Sequence, residues 1–166
     1  METAPASPSG GPDTRSRDDL YDALQDGGQR LAVGLVRLLH RMATVSGMNP
    51  TDFQCYTLLR VSGTLTPGEI ADSLCLSTGS VTGVLDRLEE RGLVERTRHP
   101  EDRRKVAVQL AEGAERLAAA SSPGMRDAMT RLHEDYSEDE LAVIVDWLDR
   151  LDATLDGVVR APRPPA

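Results

Sequence analysis

Few residues in this chain are spaced for covalent or metal chemistry. His40, His99 and His133 are scattered, Cys55 and Cys75 lack the close spacing of a metal or redox pair, and the paired acids Glu89-Glu90 and Glu138-Asp139 read as solvated helix faces. We therefore expect no enzyme, no metal and no cofactor. Both cysteines are expected to be buried and reduced, a redox switch being the other reading. What the chain does offer is a run of hydroxyls and glycines followed by cations: Ser77, Thr78, Gly79, Ser80, Thr82, Gly83 and Arg87, then Arg103, Arg104 and Lys105. Hydroxyls and arginines are the groups that bond phosphates and base edges of duplex DNA.

The elements that must position this set can be read from apolar spacing. Thr66-Pro67-Gly68-Glu69 is a helix start: Thr66 caps, Pro67 suits the first helical position and Glu69 completes a capping box. Ile70, Ala71 and Leu74 give that helix one apolar face. After a turn at Cys75-Leu76, Ser77 caps a second helix whose Val81, Val84, Leu85 and Leu88 recur at helical spacing as core. Its opposite face is then Gly79, Ser80, Thr82, Gly83, Asp86 and Arg87. An exposed helical glycine costs about 1 kcal/mol relative to alanine. Close approach to a rigid partner is one compensation; a polar solvent face that tolerates glycine is the other reading. Gly92 ends the helix, residues 93–98 begin a strand, and residues 105–110 return with Val106, Val108 and Leu110 on one face. Residues 99–104 between them are polar and turn-forming. Residues 87–110 hold seven Lys/Arg against five Asp/Glu, a net of +2 in a chain of net −8, so the positive charge is local.

Two longer amphipathic stretches flank this block. A helix from Asp18 to about Thr44 places Leu20, Leu24, Leu31, Leu35, Leu38 and Met42, with Val45 next, on a heptad-like seam with a gap at Gly27-Gly28, where the helix is expected to weaken or bend. The last helix opens at the capping box Ser137-Glu138-Asp139-Glu140 and carries Leu141, Ile144, Leu148, Leu151, Leu155 and Val158 on a cleaner seam. The central block cannot cover both seams, so pairing with a second copy is expected; an intramolecular bundle is the alternative. Asn49-Pro50-Thr51-Asp52 starts a helix with Phe53, Tyr56 and Leu59 inward, and Thr64-Leu65 is placed to add a short strand to the hairpin. Residues 112–136 are expected to be helical except at Ser121-Ser122-Pro123-Gly124, where proline forces a kink or a break. The fold class is thus mainly α with a small β-hairpin wing: a winged helix-turn-helix at 49–110 plus long dimerisation helices at 18–48 and 111–159. Residues 1–17 and 160–166, rich in Pro, Ser and Gly, read as disordered tails, a DNA-gripping arm being the sharper alternative.

These residues resemble the MarR family of bacterial transcriptional regulators. The similarity runs through Leu58-Leu59, residues 66–74, 76–82 and 85–88, Gly92-Leu93-Val94, Arg96, and Asp102-Arg103-Arg104 followed by Val106, Val108 and Leu110. The resemblance implies a homodimer on double-stranded DNA at a pseudo-palindromic operator, by family habit a repressor. It implies that Arg104 reaches into the minor groove and that Asp102 braces nearby arginines. It also implies a cleft for a small aromatic ligand, which makes Phe53, Tyr56 and Arg60 candidate ligand residues; a core Phe and Tyr is the plainer reading. The chain departs from the family after the wing, where the usual Leu-Thr-x-x-Gly is Leu110-Ala111-Glu112-Gly113-Ala114.

Composition excludes other classes. With 3% aromatic residues the chain lacks stacking platforms for single-stranded nucleic acid. No apolar run approaches the roughly 18 residues of a membrane span and no signal-peptide pattern is present, so a cytoplasmic protein without membrane contact is expected. The expected DNA-binding set is Ser77, Thr78, Ser80, Thr82 and Arg87 for the major groove and its phosphates, with Asp102, Arg103, Arg104 and Lys105 at the wing. The competing function is a winged helix used as a protein-interaction module, its acidic body contacting a protein.

Overall fold

The computed structural model describes residues 15–98, 105–114 and 124–161. Their contacts divide them into an N-terminal unit within residues 12–123 and a C-terminal unit from residue 124 onward.

In the N-terminal unit, α1 (Arg17–Val45) begins at a capping box that spacing did not single out. Ser16 Oγ accepts the Asp19 amide at 3.1 Å while the Asp19 carboxylate accepts the Ser16 amide at 3.0 Å. The Ser16 hydroxyl, which donates to the Asp19 carboxylate at 2.6 Å, and then the Ser16 amide hold that carboxyl below its usual range. The helix runs through Gly27-Gly28 without a break. Glycine weakens a helix but, unlike proline, removes no backbone donor.

Its last turns enter the core, and the chain turns at Gly47 (φ 63) into α2 (Pro50–Ser62), capped by Asn49. The helix-turn-helix follows as α3 (Pro67–Ser73), with the expected Thr66–Glu69 capping box, and α4 (Thr78–Glu90), capped by Ser77. The core is the shared interior of these elements: Phe53, Tyr56, Leu59, Ile70, Val81, Val84, Leu85, Leu88, Val94 and Val108 are all buried. Tyr56 is inaccessible, and its hydroxyl donates to the Ala114 carbonyl at 2.8 Å, tying α2 to the chain beyond the hairpin.

Strands β1 (Val94–Arg98) and β2 (Val106–Leu110) pair antiparallel, Val94 opposite Leu110 and Arg98 opposite Val106. Leu65 bridges Val108 through two backbone bonds of 3.0 and 2.7 Å, which supplies the expected third strand segment. The alternation of β2 departs from expectation: Val108 is buried and Leu110 half-buried, but Val106 is 49% exposed and Ala107 is fully buried. Val106 pairs with Arg98 at the outer end of the hairpin, past the reach of the core.

The cysteines also divide. Cys55 is buried, and desolvation pushes its thiol up to about 11, whereas Cys75 is exposed, in the turn between α3 and α4 with φ 52. The expectation of two buried cysteines is therefore corrected for Cys75. Its side chain follows the α3 face in sequence but falls in a left-handed turn residue, which takes it off that face.

In the C-terminal unit, Gly124 sits in the left-handed region (φ 81) and precedes α5 (Met125–Glu134). Ser121, Ser122 and Pro123, where a kink or break was expected, lie outside the described residues, as do residues 1–14 and 162–166 of the tails. The last helix, α6 (Glu138–Arg160), begins at the expected box: Ser137 Oγ accepts the Glu140 amide at 3.3 Å and Glu140 accepts the Ser137 amide at 2.8 Å. Among the described residues no helix is long and apolar enough to cross a membrane.

Two outcomes follow from this packing. Tyr56→Phe removes the donor to the Ala114 carbonyl and should lower unfolding stability by about 1–3 kcal/mol in a urea titration, with the helical content of the native state unchanged. A maleimide at neutral pH should label the native chain at one site, Cys75, and reach Cys55 only on unfolding, because the thiolate is the reactive form. Fast native labelling at both sites would contradict the burial of Cys55.

Candidate nucleic-acid interface

At 100° per residue, α4 divides into a core stripe, two flanks and an outer face. Val81, Val84, Leu85 and Leu88 form the stripe and are at most 2% exposed. Gly79 and Gly83 lie on the outer face, with Asp86 and Glu90 below them. Among the described residues a Cβ placed on Gly79 would meet no heavy atom within 4 Å, so none of them calls for a glycine there.

The hydroxyls at the start of α4 are engaged locally. Ser77 Oγ accepts the Ser80 amide at 3.2 Å and lies 2.9 Å from Ser80 Oγ, while Thr82 Oγ1 donates to the Thr78 carbonyl at 3.0 Å. Ser77, Thr78, Ser80 and Thr82 are all exposed, and the structure brings them together on the first turns of α4 as expected.

Arg87 stands differently from the sequence expectation of a groove contact. Its Nε donates to Asp52 Oδ2 at 3.0 Å and its NH2 to Oδ1 at 2.6 Å, a two-bond fork onto a carboxylate buried at the start of α2. The bond to Asp52 raises the Arg87 pKa above its usual value. The same Asp52 oxygen, Oδ2, accepts Asn49 Nδ2 at 2.7 Å.

Two further arginines that sequence reasoning did not assign hold the rest of the helix. Arg91, just past α4 on the flank of Arg87, donates to the carbonyls of Gly47 and Ser46, both at 2.8 Å. On the opposite side, Arg96 of β1 donates to Asp86 at 2.6 Å and to Glu89, and the Asp86 bond is the main cause that raises its pKa.

At the hairpin, Lys105 is exposed at the foot of β2, and Arg98 is exposed at the end of β1. Asp102, Arg103 and Arg104 lie outside the described residues.

Among the described residues the three ligand candidates divide between core and surface. Phe53 and Tyr56 pack with ring centroids 6.0 Å apart and are 3% and 0% exposed, whereas Arg60, one turn on, is exposed. Two surface grooves found among the described residues lie elsewhere, one along Gly34, Arg37, Leu38 and Arg41 of α1, the other at Tyr136, Asp139, Glu140, Val143 and Ile144 around the start of α6.

Known proteins place this arrangement. The MarR family model matches residues 48–106, which span α2 to the start of β2. An HTH-type transcriptional regulator of Bacillus subtilis, YcgE, is 32% identical over 114 residues, which cover 68% of this chain and 74% of that protein. The structure of a MarR family protein from Bacillus stearothermophilus superposes with a TM-score of 0.64, covering 85% of this chain and 99% of the other at 23% identity, a likeness of fold. A cysteine-to-serine mutant of MarR from E. coli, solved in complex with operator DNA, has a TM-score of 0.51 at 24% identity and covers 82% and 99% of the two chains. These relatives are regulators built on a winged helix and not enzymes, and the chain belongs to the MarR family of transcriptional regulators.

Proposed function

We propose that this chain acts as a homodimer that binds double-stranded DNA sequence-specifically at a pseudo-palindromic operator, as a repressor. The observation that carries the reading is the outer face of α4: small, polar, open beyond Gly79, and followed by a hairpin that concentrates positive charge in an acidic chain. The first turns of that face, at Gly79 and Gly83, lack bulky side chains and so let the helix backbone approach a groove wall. The MarR structure that contains operator DNA shares the fold, which supports the same placement here.

Pairing is supported by apolar surface left uncovered in each unit. On α1, Leu24, Leu31 and Leu35 are each more than half exposed, and on α6 so are Val145, Leu155 and Val158. Exposed apolar patches of this extent mark an interface in a protein that stays in solution. A two-fold pair of such chains would set two copies of α4 about one helical turn of DNA apart.

We assign Ser77, Thr78, Ser80 and Thr82 to the major groove and its phosphates, and Asp102, Arg103, Arg104 and Lys105 to the wing contact. Release by a small aromatic ligand would act as a population shift between dimer shapes. With Phe53 and Tyr56 buried and Arg60 exposed, such a ligand must either open the core to reach the two rings or bind without them.

Selection of genomic fragments with the purified protein, followed by titration of the best fragment at several salt concentrations, tests the reading. A pseudo-palindrome bound by one dimer is expected, with log–log salt slope near −0.9 per phosphate contact. Arg104→Ala should weaken that complex by about 1–3 kcal/mol; unchanged affinity and slope would remove the wing from the interface. Recovery of no fragment above background by an intact dimer would favour a protein-interaction module instead. Gly79→Ala separates folding from binding. It should leave stability unchanged or raise it by up to about 1 kcal/mol, since Ala favours helix, yet weaken DNA binding by intruding on the groove. Tighter or equal binding would return Gly79 to a tolerated solvent position.

A further inference from the structure

Helix α4 carries a single cation of its own, half exposed and engaged with an acid. Within α4 one arginine stands against Asp86, Glu89 and Glu90, a net of −2, and that arginine is forked onto Asp52. The neighbouring cations Arg91 and Arg96 are bound to backbone carbonyls and to Asp86 and Glu89. The helix is therefore gripped on both flanks by arginines, toward α2 and the α1–α2 turn on one side and toward β1 on the other.

Asp52 is built for this grip. Its carboxylate is only 6% exposed, sits in the first turn of α2 where the helix dipole favours an anion, and accepts three side-chain hydrogen bonds, two from Arg87 and one from Asn49. A two-bond arginine–carboxylate fork fixes orientation as well as distance. It also makes a neutral pair, and a neutral pair approaching a phosphate releases no counterion.

We propose that Asp52 is a positioning residue for operator binding: acting through Arg87, it sets the angle of α4 against α2. Arg87 makes no phosphate or base contact of its own. The salt-dependent part of binding is left to the hairpin cations. This inference rests on the proposed DNA-binding function and assigns roles within it.

The test uses the full-length protein, the operator fragment recovered above and the variants Asp52→Asn, Arg87→Ala, Arg87→Lys and Asp52→Asn/Arg87→Ala. Each is titrated by fluorescence anisotropy across a salt series, with thermal melting alongside to confirm that it is folded at the titration temperature. Wild-type binding is measured first and stands as the separate test of DNA binding itself.

If Asp52 positions α4 through Arg87, each single variant should bind about tenfold or more weakly with the salt slope of wild type, and the double variant should bind no worse than the singles. Arg87→Lys is expected to resemble Arg87→Ala, because lysine keeps the charge and loses the fork. The opposite results are equally distinct. Removing an anion near DNA should by simple electrostatics tighten binding, so an Asp52→Asn variant that binds as well as wild type or better would overturn the proposal. So would a slope that becomes shallower by about 0.9 in Arg87→Ala, the signature of one lost phosphate contact, or full binding by Arg87→Lys.

Discussion

A helix that offers one whole face to a partner must be held entirely by its other face and its flanks. In α4 the hold comes in two layers. Val81, Val84, Leu85 and Leu88 sink into the core and fix depth and rotation. Apolar burial is non-directional, however, and sets an angle only loosely. Direction is added by the fork of Arg87 on Asp52, by Arg91 on the Ser46 and Gly47 carbonyls, and by Arg96 between Asp86 and Glu89. The Arg96 pairs lie at the surface, where ion pairs contribute little to stability. The Arg87 fork, in contrast, ends on a buried carboxylate that is costly to leave unpaired. All three holds also act on geometry, since they join α4 to α2, to the α1–α2 turn and to the hairpin.

The order and ends of the elements were legible in the sequence because they are local. Thr66–Glu69, Ser137–Glu140 and Ser77 lie within three residues of the amides they satisfy, and the helical spacing of Val81, Val84, Leu85 and Leu88 needs no knowledge of a partner. The outer face of α4 followed from the same spacing. What spacing cannot show is which distant charge an arginine meets. Asp52 and Arg87 are 35 residues apart, Arg91 and Gly47 44 apart, so Arg87 reads as a groove residue until α2 is packed beside it. Asp52 itself reads as an ordinary first-turn acid. Even Arg96 meets acids 7 and 10 residues away only because β1 folds back along α4.

The departures share a physical cause. Val106 alternates correctly with Val108 yet stands exposed, because alternation specifies a face and not how far the core extends along the strand. Cys75 follows an apolar stripe and yet faces solvent, because a left-handed residue ends the helix that the stripe belongs to. Phe53 and Tyr56 meet in the core, where aromatic area contributes most, and Tyr56 finds a backbone partner for its hydroxyl at Ala114. For Val106 and Cys75 the local pattern names a side and the third dimension overrules it.

An acidic chain that binds a polyanion needs its charge divided by element. The net of −8 is compatible with DNA binding only if anions are kept from the contact or neutralised beside it. Asp52 is buried and paired, and Asp86 and Glu89 are bound by Arg96, so much of the negative charge around α4 is matched within the protein. Those arginines already answer partners within the protein, although half of the Arg87 side chain stays exposed, and on the proposed reading the hairpin supplies most of the attraction. On the proposed assignment labour would be divided: α4 would contribute shape and close approach, and the wing charge. Such an interface would discriminate between sequences through fit at α4 and lose affinity with salt through the wing, two dependences that can be altered separately because they reside on separate elements.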